Sequence, residues 1–323
     1  MSRYIDPTTD FGFKKLFGEE ANKDIIMSFI TDVLELQTPL AELRFLDKEQ
    51  LPEIIERRAG VYDLFCTDQT GNHFIVEMQK SLIAYIKDRM VYYLTFPIAK
   101  QAPKGGMLRV AEPVDATYGK AIKKTPWDFK LEAVYCIAIL GYELDGSTMA
   151  VNRNSLRNDE PPHALFYDKL KFITIELPLF DETKPEYSLD KHLNKWLYFL
   201  SNLPDFDRMP EIFKGDAVFE KAFALAEIAN LTEAELSQYH RSLKYLWDDY
   251  AKLTTAEQKG ELRGELRGEQ KGILKGKLQV AQALLQKGSD PAFVAEVTGL
   301  SMDQIQRLQN PEAPARKLYP TIE

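Results

Sequence analysis

Apolar residues recur along this chain with two different periods. Between residues 22 and 36, Ile25, Ile26, Phe29, Ile30, Val33 and Leu34 fall at helical spacing and predict a helix that ends before Pro39. Leu43 to Leu46 reads as a strand. Two mostly apolar runs then flank the turn Asp68-Gln-Thr-Gly-Asn72, the pattern of a β-hairpin. A three-residue loop places Gly71 at the left-handed position such loops require. Helical spacing returns over 82–101 through Leu82, Ile83, Ile86, Met90, Tyr93 and Leu94, with Pro97 expected to bend or end the helix. Val134–Leu140 and Lys171–Leu177 are apolar runs suited to strands covered on both faces. From about residue 189 strand signals cease, and helical patterns occupy 189–202, 217–230 and 234–253. The order helix, strand, hairpin, helix, strand, strand predicts an α/β fold: a mixed sheet flanked by helices on both faces, followed by an α-helical C-terminal region.

The hairpin carries acids where a core strand should have none. Counting back from the turn sets Asp63 opposite Glu77, and opposed residues share a face of the sheet. Gln79 joins them because side chains alternate with period two. Two carboxylates side by side are costly unless a cation or a shared proton lies between them. The patch suits a hard divalent cation such as Mg²⁺, with Mn²⁺ as a substitute, held by Asp63 and Glu77. An acid followed on the next strand by Glu-x-polar is a phosphodiesterase arrangement, in which a metal polarises phosphate and activates water. The competing reading is structural, with Asp63 and Glu77 capping or pairing with local lysines.

Composition narrows the setting. The 323 residues are 45% hydrophobic and 28% charged, with a net charge of −8. Any contact with nucleic acid must therefore come from local patches. The segment 103–130 is one, with Lys104, Arg109, Lys120, Lys123, Lys124 and Lys130 among prolines and glycines; it reads as an exposed loop or insertion. Clustered cations of this kind bind phosphate without regard to sequence. Lys14 and Lys15 follow Phe11 and Phe13; they are either available to phosphate or simply solvated while the aromatics seal the sheet. His163 and His192 have no partner at a ligand spacing and read as structural. The two cysteines, Cys66 and Cys136, sit in apolar runs, with neither a disulfide framework nor a zinc spacing. No signal-peptide core or membrane-length apolar run is present, so a cytoplasmic protein is expected.

Near the C-terminus, glycine recurs at 260, 264, 268, 272 and 276. Each costs about 1 kcal/mol against alanine in a helix. Glu261, Glu265 and Glu269 stack at i,i+4, as do Arg263, Arg267 and Lys271, and like charges at that spacing repel. A helix here needs a partner, so a homodimer through 259–288 is expected; a flexible charged linker is the alternative. Residues 289–308 read as two short helices, with Pro291 at a first helical position, Gly299 at the turn and Ser301-x-x-Gln304 as a capping box. The second of them offers Arg307 as its one cation, so packing or partner contact is favoured over base reading.

Asp10-Phe-Gly-Phe-Lys-Lys-Leu-Phe17, Asp63, Ile75-Val-Glu-Met-Gln79, Arg89 through Tyr92-Tyr93, and Phe166 to Pro178 resemble, in that order, the signature blocks of the recombination-promoting nuclease (Rpn), transposase-like family of the PD-(D/E)XK superfamily. The resemblance spans about residues 4–310. It implies a restriction-endonuclease-like core and a Mg²⁺-dependent DNA endonuclease. Asp63 and Glu77 would be metal ligands, and Gln79 would stand where the superfamily usually has lysine. Lys87 or Arg89, on the next helix, could supply the absent charge. Lys14, Lys87, Arg89, Lys123 and Lys124 are the candidate DNA contacts. A nuclease fold that grips DNA or a protein without cutting is the alternative function. The expected organisation is a nuclease-like core over 1–205 with its basic insertion near 103–130, a helical extension over 206–258, the glycine ladder over 259–288, the helix pair over 289–310 and a tail over 311–323.

Overall fold

The computed structural model describes residues 2–46, 62–102, 107–111 and 122–309, with strand pairing alone for 107–111 and 122–126. Contacts divide the chain into a unit up to Asp249 and a second from Tyr250 onward.

The first unit is built on a mixed sheet of six strands: β1 (Leu43–Phe45), β2 (Leu64–Asp68), β3 (His73–Gln79), β6 (Val134–Leu140), β7 (Val151–Arg157) and β8 (Leu165–Glu176), in the spatial order β1-β2-β3-β6-β8-β7. β3, β6 and β8 run parallel; the remaining neighbours are antiparallel. Parallel neighbours need a crossover, and between β3 and β6 helix α3 (Ile86–Gln101) supplies it. Alternation divides β3 between two cores. Phe74 and Val76 face a large cluster with α1 (Asp10–Phe17), α2 (Lys23–Val33), α4 (His192–Asn202) and α5 (Ala217–Ala226). Ile75 faces a smaller cluster under α3, with Ile86, Met90, Tyr93 and Leu94. Glu77 and Gln79 share the face of Ile75, so the sequence period itself delivers them beneath α3.

Helix α1 explains the glycine of its signature. Thr9 caps it by accepting from Gly12 N–H, and a Cβ on Gly12 would lie 2.1 Å from the Asp6 carbonyl oxygen. The hairpin has the expected register, Leu64 opposite Val76 and Thr67 opposite His73, with Gly71 at φ +90°.

Several expectations are corrected. Of the two outcomes expected at Pro97, a bend or an end, the end does not occur: α3 continues to Gln101. Proline removes the N–H that the carbonyl four residues back would receive, here that of Tyr93. The buried Tyr62 hydroxyl donates to that same carbonyl at 3.0 Å and takes the place of the missing N–H. Tyr62→Phe should therefore orphan a buried carbonyl and cost about 1–3 kcal/mol, read as a lower midpoint in thermal or urea unfolding. The segment 103–130 is not all loop. Its described part includes an antiparallel pair, β4 (Met107–Ala111) with β5 (Ile122–Pro126), which holds Lys123 and Lys124 within β5; Lys104 and Lys120 lie outside the described residues. Strand β7 carries no apolar run because it is a half-exposed edge, and its sequence Val-Asn-Arg-Asn-Ser-Leu-Arg hides it.

His192 does have partners, brought from distant sequence. Its Nδ1 meets the Asp32 carboxylate and its Nε2 lies 2.8 Å from Asp216, which also caps α5. The hydrogen bond to Asp32 outweighs burial and holds the His192 pKa above its ordinary value, and Asp216 is lowered despite its own burial, chiefly by its hydrogen bond with His192. A raised histidine pKa stabilises fully below about pH 6.5, the unfolded value. That contribution fades as pH rises through the folded value. His192→Ala should lower the melting temperature most near pH 5–6, with the deficit narrowing toward pH 8–9; an equal deficit at both ends would remove the charged-pair explanation.

In the second unit, the single helix α6 (Glu233–Gln286), which begins in the first unit, runs through all five ladder glycines. Its last turns pack Leu274, Leu278 and Ala281 against α7 (Pro291–Thr298) and α8 (Met302–Gln309), through Val294, Leu300 and Ile305. Gly299 adopts φ +65°, and Ser301 N–H donates to Gln304 Oε1 at 2.9 Å, completing the turn and capping box. Among the described residues no helix is long and apolar enough to cross a membrane.

Candidate active site

One step beyond the last backbone pair of the hairpin, side chains take over the ladder. Asp63 N–H donates to Glu77 Oε1 at 3.1 Å, and Met78 N–H donates to Asp63 Oδ2 at 2.8 Å. Each acid is therefore fixed to the other's strand, and the predicted opposition of Asp63 and Glu77 is present. Glu77 is only 5% exposed. An ionised carboxylate at that depth requires a cation.

Arg89 supplies one. Its Nη2 lies 3.3 Å from Glu77 Oε2, its Nη1 3.5 Å from Gln79 Oε1, and its Nε donates to the Tyr93 hydroxyl at 2.7 Å. The guanidinium also sits 5.0 Å from the centroid of the Tyr93 ring. Arg89 and Tyr93 are four apart on α3 and so share a helix face. Burial, reinforced by the charge of Glu77, pushes the Tyr93 phenol above its ordinary pKa, so it remains a neutral hydrogen-bonding group. Gln79 turns its amide nitrogen to the Ser81 carbonyl at 2.9 Å and its oxygen toward Arg89. Arg89 thus brings a positive charge beside Gln79.

Sequence reasoning missed Tyr62 and Tyr93. Their rings pack edge to face at 4.9 Å, and the Tyr62 hydroxyl bond to the Tyr93 backbone ties the residue before Asp63 to the helix that carries Arg89. Pro97, four residues after Tyr93, was the available signal.

A cleft of about 860 Å³ opens beside Asp63, between α1 and the first turns of α6. Lys14 and Lys15 line it, but Lys14 is paired with Asp10, and Lys15 lies 2.6 Å from Glu235 and 3.1 Å from Glu19. With Asp63 and Asp249 the cleft holds five carboxylates against three cations, the third being Arg241. It therefore lacks the basic balance of a phosphate-backbone groove. Lys87 is exposed on α3.

Asp63 and Glu77 present hard oxygen donors from adjacent strands, the set that Mg²⁺ or Mn²⁺ takes. Among the described residues no cluster of three or more His, Cys, Asp or Glu is suited to a metal, so an ion here would draw on two protein carboxylates. A site with one or two carboxylates completed by water and phosphate fits Mg²⁺.

Residues 7–256 match the family described as PD-(D/E)XK nuclease family transposase. The chain belongs to that family. Residues 274–310 match the C-terminal helix-turn-helix domain of the Rpn/YhgA-like nuclease family, which covers the end of α6 together with α7 and α8. No curated protein and no solved structure matches the chain. Membership of a PD-(D/E)XK nuclease family gives the chain a nuclease-type fold and accords with the mixed sheet found here. The second match is to a helix-turn-helix domain, in keeping with the two short helices α7 and α8 joined at Gly299.

Proposed function

We propose that this PD-(D/E)XK family member is a Mg²⁺-dependent DNA endonuclease of the recombination-promoting type. The observation that supports it most is the convergence of Asp63 and Glu77 under α3, with the Arg89 guanidinium bridging Glu77 and Gln79. Asp63 and Glu77 would hold the metal, and a bound ion there would polarise the scissile phosphate and lower the pKa of an attacking water. Asp63 is held by Met78 N–H, so its carboxylate is oriented before substrate arrives. Arg89 provides a fixed positive charge for the negative charge that grows on phosphate during attack, which Gln79 cannot do. Tyr93 orients Arg89 by accepting from Nε. Lys87, Lys123 and Lys124 are assigned to the DNA backbone, and the helix-turn-helix to a further DNA contact. Lys14 can join only by giving up Asp10.

Supercoiled plasmid incubated with purified full-length protein tests this. Nicking or linearisation with Mg²⁺, abolished by chelator, is expected. DNA retention without cleavage under Mg²⁺ or Mn²⁺ would replace the proposal with a non-cutting nuclease-fold module. Such a module would lose affinity steeply with salt.

A further inference from the structure

A cavity of about 410 Å³ lies beside α3 on the face of the sheet that carries Glu77. Its floor follows from the register. Glu77 pairs with Ala138, Ala138 with Thr174, and Thr174 with Asn152, so one row of side chains crosses β3, β6, β8 and β7 on a single face. At roughly 4.8 Å per strand, Thr174 stands about 10 Å from Glu77 and Asn152 about 14 Å. The next row runs from Ile75 through Cys136 and Phe172 to Asn154. Helix α3 serves both places. Lys87 and Arg89 are two residues apart, about 200° around the helix axis. Arg89 reaches Glu77, while Lys87, with Met90 and Val91, walls the cavity.

Two amides on β7 line the cavity in a fixed sense. Asn152 Nδ2 donates to the Met149 carbonyl at 2.8 Å and to Glu176 Oε1 at 3.1 Å. Asn154 Nδ2 donates to the Phe172 carbonyl at 3.4 Å. A carbonyl can only accept, so each amide nitrogen is turned to the backbone and each Oδ1 is left as an acceptor. Glu176 is fully buried and also accepts from Leu144 N–H at 2.7 Å and from the Ser147 hydroxyl at 2.5 Å, which ties the loop after β6 to the same network. That network accounts for the nitrogen of Asn152 and leaves both Oδ1 atoms over.

The chemistry of the lining selects a ligand class. Met90, Val91 and Phe172 give apolar walls beside the two acceptors. A nucleobase taken out of its stack is held in this way, by apolar contact with its face and hydrogen bonds along its edge. Acceptors call for a donor, and cytosine and adenine present an exocyclic amino group where thymine presents O4. Charge favours a base carried on DNA over a free nucleotide. Lys87 and Asp145 are the charged residues of the lining and cancel, so the phosphates of a free nucleotide would meet no net positive charge.

We propose that this cavity takes a nucleobase bearing an exocyclic amino group, unstacked from DNA held at the Asp63–Glu77 site. Asn152 and Asn154 accept from its edge, Phe172 packs on its face and Lys87 meets the adjoining phosphate. The proposal rests on the reading of that site as one that holds DNA, and adds to it a base preference that the metal chemistry does not require.

The test is a titration of the full-length protein in EDTA with single-stranded oligo-dC and oligo-dT of equal length, followed by fluorescence anisotropy. The two bases differ at the amino group and the thymine methyl. Oligo-dC should bind at least about tenfold more tightly. Asn154→Leu, which leaves the Glu176 network intact, should remove most of that preference by weakening oligo-dC while sparing oligo-dT. Asn152→Leu should do the same, with its melting temperature measured because Glu176 loses a donor. Equal affinity for the two strands, binding of neither, or a preference that survives both variants overturns the proposal. EDTA takes cleavage out of the readout. A preference in a protein that never nicks DNA with Mg²⁺ would retire the nuclease and keep the pocket; nicking without a preference would do the reverse.

Discussion

Replacing Arg89 with alanine is expected to lower the cleavage rate by about 10²–10³-fold, the cost of removing one preorganised charge from a developing oxyanion. DNA affinity at fixed salt should change little, so the loss falls on kcat. Arg89→Lys should recover only part of it, because an ammonium keeps the charge but not the planar fork that spans Glu77, Gln79 and Tyr93. A structural cost accompanies the alanine variant. Glu77 is buried and would lose the cation facing its Oε2, so the melting temperature should fall as well. A variant destabilised by a similar amount away from the site, such as His192→Ala, whose side chain pairs with Asp32 and Asp216, separates the two effects: if it loses as much activity as Arg89→Ala, Arg89 acts by holding the fold.

Asp63→Asn and Glu77→Gln should each abolish most cleavage while sparing the fold. These substitutions keep size and the capacity to accept from Met78 N–H or Asp63 N–H, and remove only the charge that a divalent ion needs. Losing a metal's contribution of several kcal/mol corresponds to roughly three orders of magnitude in rate. Raising the Mg²⁺ or Mn²⁺ concentration should partly rescue a single variant and not the double one, because one carboxylate still contributes to the site.

The centre of the site was legible from sequence because hairpin geometry is local. Gly71 fixes the loop, the loop fixes the register, and the register brings Asp63 to Glu77. The sheet order was less legible: β7 is a polar edge strand whose place is set by pairing with β8 rather than by its own pattern. Arg89 stood among two candidates because helical phase alone does not say which side chain reaches back ten residues to β3. The backbone fix is what selects it, since α3 survives Pro97 through a hydroxyl from Tyr62, 31 residues upstream of Tyr93. The pairings of Lys14 with Asp10 and of His192 with Asp32 and Asp216 have the same character. One is a helix neighbour that neutralises an apparent DNA contact; the other joins residues 160 and 24 positions apart.

The most direct measurement is plasmid nicking with Mg²⁺ by wild type and by the Asp63→Asn/Glu77→Gln double variant, side by side, with melting temperature and DNA binding measured on the same samples. Metal-dependent nicking by the wild type, lost in a double variant that still folds and binds DNA, is the predicted result. Nicking at the same rate by both proteins would contradict it and place the chemistry somewhere other than the hairpin.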